Sequence, residues 1–251
     1  MMNRLWVIMP VYNEEDSIAA VVGEWLSELR RNKCDFTLCL MNDGSKDGTL
    51  RILHELAARE RELVVIDKPN SGHGQTCVEG YRIALEHNAD WILQIDSDGQ
   101  CDASLFSLLA KESSLYPAVY GFRRTRHDGY ERYLMSRVVS LFAFVATGVW
   151  VRDANVPYRL MHASTLKDIV GKVPRDFHLA NILVAVLQQK RHRIHWVDIH
   201  FRRRSGGTAS VKALGFARHG VRLFRQLRRC TSGYDEVEMA RKGPVVEELK
   251  H

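Results

Sequence analysis

Apolar residues along the first hundred positions alternate between two spacings. Leu5 to Met9 is a nearly continuous apolar run ended by Pro10, the pattern of a parallel strand buried on both faces. Ile18, Val21, Val22, Trp25, Leu26 and Leu29 then recur at helical spacing between Ser17 and Arg30. Phe36 to Met41 reads as a second strand, and Asp47 is placed to cap a helix carrying Leu50, Ile52, Leu53 and Leu56. A third strand over Leu63 to Ile66, a helix from Gln75 to about His87 and a fourth strand over Trp91 to Ile95 complete the series. This alternation predicts an α/β fold, a mostly parallel sheet with helices on both faces. Ligands of such sheets bind at the carboxyl ends of the strands.

After residue 100 the pattern loosens. A helix from Ala103, a strand near Val119 and a strand-like stretch over Val149 to Arg152 are expected, then a helix over Leu179 to Gln188 and a strand from Ile194 to Phe201. Arg123, Arg124, Arg126, Arg132 and Arg137 lead into an apolar helix around Val138 to Val145, whose apolar part is expected to be buried. No repeat or linker interrupts the chain, which divides most simply into one domain, 1–212, and a basic helix and tail, 213–251.

The charge is unevenly placed. Of the net +6 over 251 residues, the segment Arg202 to Arg229 alone carries +9, with no Asp or Glu, and the remainder sums to −3. Leu214, Val221 and Leu227 mix there with Arg218, Arg222, Arg225, Arg228 and Arg229, which reads either as a helix for an anionic membrane surface or as a docked terminal helix with a solvated basic face. Nucleic acid is not expected, because no aromatic residues interleave with the arginines for base stacking. The run Val138 to Val151 is shorter than the roughly 20 residues of a membrane-spanning helix. Asn3 and Arg4 lead straight into a strand, unlike a secretion signal, and the five cysteines lack a C-x-x-C pair. A cytoplasmic protein, attached peripherally at most to the inner face of a membrane, is the expectation. Composition is ordinary for a globular protein, at 45% hydrophobic and 26% charged, which excludes a disordered or fibrous chain. Oligomeric state is not legible.

The candidate chemistry collects at strand ends. Asp96-Ser97-Asp98 follows the fourth strand, and two carboxylates two residues apart on a turning chain suit a hard cation such as Mg²⁺ or Mn²⁺ beside a diphosphate. An Asp-rich turn is the bland alternative. Pro10-Val11-Tyr12-Asn13-Glu14-Glu15 and Asn42-Asp43-Gly44-Ser45 close the first two strands, where acceptor groups suit a nucleobase and ribose.

Together with Asn70-Ser71-Gly72-His73-Gly74, Gly121-Phe122-Arg123, Arg152-Asp153 through Leu160, and His200 with Arg203, these stretches resemble the family-2 glycosyltransferases of the GT-A (Rossmann-like) fold, in their dolichol- and polyprenyl-phosphate sugar synthase branch. The likeness runs from about residue 4 to 212. It implies that Pro10, Tyr12, Glu14, Asp43, Asp67 and Asp96 line a nucleotide pocket, that Asp96, Asp98 and Gln100 hold the metal, and that Arg123, Arg132 and Arg203 meet acceptor phosphate. Asp153, Arg123 and Arg203 are the implied catalytic residues.

The implied reaction is inverting, metal-dependent transfer of a sugar from a nucleotide-diphosphate sugar to a polyprenyl phosphate at the membrane surface. If the acceptor is instead a saccharide or other hydroxyl compound, Asp153 is the candidate base, unless it serves as structural partner to Arg152 or Arg159. A third reading, a non-catalytic module binding anionic lipid, leaves Asp96 and Asp98 without a purpose. Neither the sugar nor the base is specified by the sequence.

Overall fold

The apolar runs at the start of the chain form strands β1 (Leu5–Val11), β2 (Phe36–Asp43), β3 (Leu63–Lys68) and β4 (Trp91–Gln94). The computed structural model describes residues 2–126, 130–175, 177, 179–202, 221 and 224–232, without the side chains of 125, 126, 130–133 and 135. All seven residues of β1 are buried, because β1 lies between β2 and β4, parallel to both. Helices α1 (Ile18–Arg31), α2 (Thr49–Ala57) and α3 (His73–Glu86) make the crossovers. Gly80 lets α3 settle onto the sheet, since a Cβ there would collide with Ile8 Cγ2.

The chain steps outward from β1 to β2 and β3, and α3 then returns it to the other side of β1, giving the order β3-β2-β1-β4. Connections leave β1 and β4 in opposite directions, which opens a crevice at their carboxyl ends.

The second half adds β5 (Ala118–Arg126), β6 (Arg159–His162) and β7 (His195–Phe201), completing the order β3-β2-β1-β4-β6-β5-β7. β6 runs antiparallel between β4 and β5, while β7 pairs parallel with β5. A 3₁₀ turn, Ala103–Leu105, precedes α4 (Phe106–Glu112). Helices α5 (Tyr130–Thr147), α6 (Ala163–Val170) and α7 (Ala180–His192) follow, with α3, α6 and α7 packed on one another. Every residue of α7 from Ala180 to Gln188 is buried.

The structure departs from the sequence reading in this half. Val149 to Arg152 is not a strand: Gly148 turns the chain with φ +72° and a loop runs on to Tyr158. Val151 and Val156 are fully buried as loop side chains, so the apolar signal there recorded burial without extended pairing. The strand forms at Arg159 and the unanticipated α6 follows it. Nor is the apolar part of α5 buried throughout. Val139, Ala143 and Ala146 face the core, whereas Leu141 and Val145 are exposed.

Residues 224–232 are helical and dock by one edge: Leu227 and Thr231 are buried, Phe224 meets Phe142 edge to face at 5.9 Å, and Arg225, Arg228 and Arg229 are exposed. The expected boundary at 212/213 lies outside the described residues. Among the described residues no helix is long and apolar enough to cross a membrane.

Candidate active site

The loops beyond β1 and β2 are bonded to each other. Asn13, at φ +52°, accepts the Lys46 N–H at 2.8 Å through Oδ1 and donates its own N–H to Ser45 Oγ at 3.1 Å. Glu14 N–H donates to Thr49 Oγ1 at 2.9 Å, and Glu15 Oε2 accepts the Gly48 N–H at 2.6 Å. The buried Glu14 carboxylate accepts the Ser17 hydroxyl at 3.0 Å. Pro10 is buried within β1, and Tyr12 is half-buried one residue beyond its end. Gly48 occupies the cap position of α2, and Asp47 serves the helix from one residue earlier by accepting the Thr49 N–H at 3.0 Å.

Asp43, at the end of β2, organises the next loop. Its Oδ1 accepts from Lys68 Nζ at 2.6 Å and from the Ser71 N–H at 2.8 Å, while Oδ2 accepts the Gly72 N–H at 3.0 Å. Burial alone would raise the pKa of this carboxyl, but the Lys68 ammonium and the Ser71 and Thr76 donors lower it. Gly72 adopts φ +85° and ψ 151°, a conformation that a side chain strains. Asp67 is exposed and accepts from Asn42 Nδ2 at 2.7 Å.

Asp96 and Asp98 lie just past β4, at the crevice. Asp96 Oδ1 is buried and has no hydrogen-bond partner; the nearest described cation is His73 Nε2, 3.7 Å away at the start of α3. Burial disfavours the His73 imidazolium, but Cys77 and Asp96 outweigh this and raise its pKa. Asp98 Oδ1 accepts the Gln100 N–H at 3.1 Å, closing a turn through Gly99 at φ +74°. Gln100 is buried and tied to the end of β7, donating Nε2 to the Arg202 carbonyl at 3.1 Å. An unpaired buried carboxylate oxygen is costly unless a cation approaches it. The donor set therefore fits a hard divalent ion that takes one or two carboxylates and fills its remaining positions with water or phosphate oxygens. Among the described residues no group of three or more His, Cys, Asp or Glu forms a self-sufficient metal cage.

On the far side of β4, Arg123 of β5 meets Asp153 of the 148–158 loop. Nε and Nη2 donate to the two carboxylate oxygens, each at 2.7 Å, with the pair almost fully buried. Ser136 of α5 adds a hydroxyl to Asp153 Oδ1 at 3.3 Å. Among the described residues Asp153 is thus held by Arg123 and Ser136, and by neither Arg152 nor Arg159. Arg152 and Arg137 instead lie over the Phe122 ring, at 4.3 and 5.9 Å. The side chain of Arg132 and the whole of Arg203 fall outside the described residues.

Residues 6–170 match the sequence model of glycosyl transferase family 2. The chain belongs to that family. An undecaprenyl-phosphate 4-deoxy-4-formamido-L-arabinose transferase of Shewanella sediminis is 27% identical over 205 residues, covering 80% of this chain and 60% of that protein. A transferase of the same description from Pseudomonas fluorescens is 29% identical over 173 residues, covering 68% and 50%. The chain spans about half the length of the curated relatives it matches. In fold it is similar to glucosyl-3-phosphoglycerate synthase of Mycobacterium tuberculosis, solved with Mn²⁺, UDP-glucose and phosphoglyceric acid, with TM-score 0.64 at 17% identity over 91% of this chain and 79% of that one. The GT-A architecture expected from the sequence is therefore the fold of this family-2 domain.

Lys68 escaped the sequence reading, and Arg159, offered there as a partner of Asp153, has a different role. Lys68 holds Asp43, Ser71 Oγ (2.6 Å) and the Pro69 carbonyl (2.9 Å), and its position at the end of β3 was the available signal. Arg159 is fully buried in β6, donating to the carbonyls of Val156 (2.7 Å), Asn181 (2.8 Å) and Ala154 (2.9 Å) and lying 4.9 Å from the Tyr120 ring centre. It fastens the loop that carries Asp153 to α7. No local pattern announces a buried arginine.

Proposed function

We propose that this family-2 domain transfers a sugar from a nucleoside diphosphate sugar to a polyprenyl phosphate at a membrane surface, with inversion at the anomeric carbon. The observation that carries the choice of acceptor is the bidentate grip of Arg123 on Asp153. A carboxylate with both oxygens in charge-assisted hydrogen bonds is a poor proton acceptor, so the pair suits a nucleophile that needs no base. A phosphate monoester, largely ionised near neutral pH, is such a nucleophile. The relatives named as undecaprenyl-phosphate transferases support this reading. The donor reading is supported by the crevice beside β1 and β4 and by the neighbour solved with UDP-glucose.

In this reading Pro10, Tyr12, Glu14, Asp43, Asp67 and Asp96 surround the nucleoside, with Asp43 holding the 69–72 loop in shape. The positive end of α3, with His73 at its start, favours the diphosphate. Asp96, Asp98 and Gln100 would hold Mg²⁺ or Mn²⁺, which when bound offsets negative charge on a diphosphate. Arg123, Arg132 and Arg203 orient the acceptor phosphate, by the planar donor geometry that suits its oxygens. Asp153 fixes the guanidinium of Arg123.

The test is a panel of nucleotide sugars with Mn²⁺, assayed with a polyprenyl phosphate, with 3-phosphoglycerate and with free sugars. Label entering the organic phase only with the polyprenyl phosphate is expected. Transfer to a hydroxyl acceptor alone, accompanied by a large rate loss in Asp153→Asn, would replace this reading with one in which Asp153 is the base.

A further inference from the structure

Helix α5 presents two opposite faces. Val139, Ala143 and Ala146 lie against the core, and Leu134, Val138, Leu141 and Val145, spaced four, three and four residues apart, look outward with 46 to 62% of their surface exposed. At 1.5 Å per residue this apolar stripe is about 16 Å long. Single exposed apolar residues are ordinary, but a continuous row marks a contact surface. Phe144 and Trp150, both exposed, pack edge to face at 5.9 Å and extend the row past the end of the helix. An exposed tryptophan at the margin of an apolar strip suits the boundary between lipid and water.

Along the stripe itself the charges have one sign, the single acidic residue of α5, Glu131, lying three positions before Leu134. From Leu134 to Thr147 helix α5 contains Arg137 and no Asp or Glu, and residues 221–232 contain no acidic residue either. The 224–232 helix is docked along the flank of α5 through Phe224 and Phe142, and it leaves Arg225, Arg228 and Arg229 exposed. An isologous contact with a second copy would bring this basic set towards its own image, which costs energy. A surface that is apolar within and anionic at its rim matches both features.

We infer that α5 lies in the plane of an anionic lipid bilayer, its Leu134–Val145 row immersed to headgroup depth and the arginines of the 224–232 helix resting on the lipid phosphates. The inference deepens the reading above and rests on it for one consequence. Trp150 is three residues before Asp153, so the immersed row runs directly into the loop that pairs with Arg123. A lipid-linked phosphate would reach that pair without leaving the bilayer.

Co-sedimentation with vesicles tests this. Wild-type protein is expected to bind phosphatidylcholine vesicles containing phosphatidylglycerol, and much less to phosphatidylcholine alone. Leu141→Gln with Val145→Gln should weaken binding on the order of 100-fold. Arg225→Ser with Arg228→Ser and Arg229→Ser should weaken it roughly 100-fold at low salt, with little further loss as salt rises. Both variants should keep the wild-type melting temperature and turn over a short, water-soluble prenyl phosphate at the wild-type rate. In wild-type protein, acyl-brominated lipids should quench fluorescence that Trp150→Phe removes, a measurement independent of the other variants. Wild-type protein that ignores anionic vesicles, or variants that sediment like wild type, would overturn the inference. So would a concentration-dependent dimer dissolved by the α5 changes without vesicle binding. If vesicles are bound as described but no prenyl phosphate accepts sugar, the acceptor reading fails and the docking surface stands.

Discussion

The two halves of the sheet secure their site loops by different means. Around β1, β2 and β3 the connections are many and mostly involve backbone donors: Asn13 to Lys46 and Ser45, Glu15 to Gly48, and Asp43 to Ser71 and Gly72. Around β5 and β6 a few buried ions carry the load, with Arg123 on Asp153 and Arg159 on three carbonyls. Loss of one backbone hydrogen bond is absorbed by its neighbours. Loss of one member of a buried ion pair leaves an uncompensated charge. The β1–β3 side thus spreads its support over many backbone donors around one ion pair, Asp43–Lys68, whereas among the described residues the β5–β6 loop contacts centre on Arg123 and Arg159.

The largest effect should come from the crevice between the halves. Asp96→Ala with Asp98→Ala is expected to reduce Mn²⁺-dependent transfer on the order of 1000-fold and to abolish metal-dependent nucleotide binding by calorimetry, with the fold intact by circular dichroism. Unchanged binding would remove the metal role from these carboxylates. On the β5–β6 side, Asp153→Ala should cost on the order of 2–4 kcal/mol in denaturant unfolding, because Arg123 loses a bidentate, almost fully buried carboxylate. Adding Arg123→Leu should restore part of that loss. If the single and double variants are equally unstable, the pair does not behave as a coupled unit.

On the β1–β3 side, Asp43→Asn should cost roughly 1.5–3 kcal/mol at neutral pH through weakened bonds to Lys68 and the 69–72 loop. Its pH dependence has a definite sign. The folded-state pKa of Asp43 is lowered, so its contribution is present above the unfolded value, about 3.9, and is lost as pH falls through the folded value. The stability gap between wild type and Asp43→Asn should therefore be constant near neutrality and close below about pH 4. A gap that persists in acid would mean that packing, and not charge, supports the loop. The most local change is Gly72→Ala, expected to cost about 1–3 kcal/mol from backbone strain alone, since no atom lies within 4 Å of the added methyl.

The legible part of this protein is uneven in the same way. Strands β1 to β4 and the motifs at their ends stand in the sequence because each parallel strand is a short apolar run, and each site loop follows its strand directly. The apolar runs of β2 and β4, in a parallel sheet, were sufficient to place Asp43 and Asp96 at one end of it. The β5–β6 side resisted the same reading. Val151 is apolar but sits in a loop, and β6 has only four residues, one of them a buried arginine.

By itself, then, the sequence determined the alternation of strands and helices, the crevice they imply and the acidic pair beside it, because burial and periodicity are local properties of a chain. Only the tertiary structure decided that Asp153 belongs to Arg123, thirty residues earlier, and that Arg159 spans to Asn181. It also decided which side of α5 stays outside the core. Those outcomes follow from inserting β6 antiparallel between β4 and β5 and from laying the 224–232 helix against Phe142. Contacts made by such long-range docking leave no periodic trace along the chain.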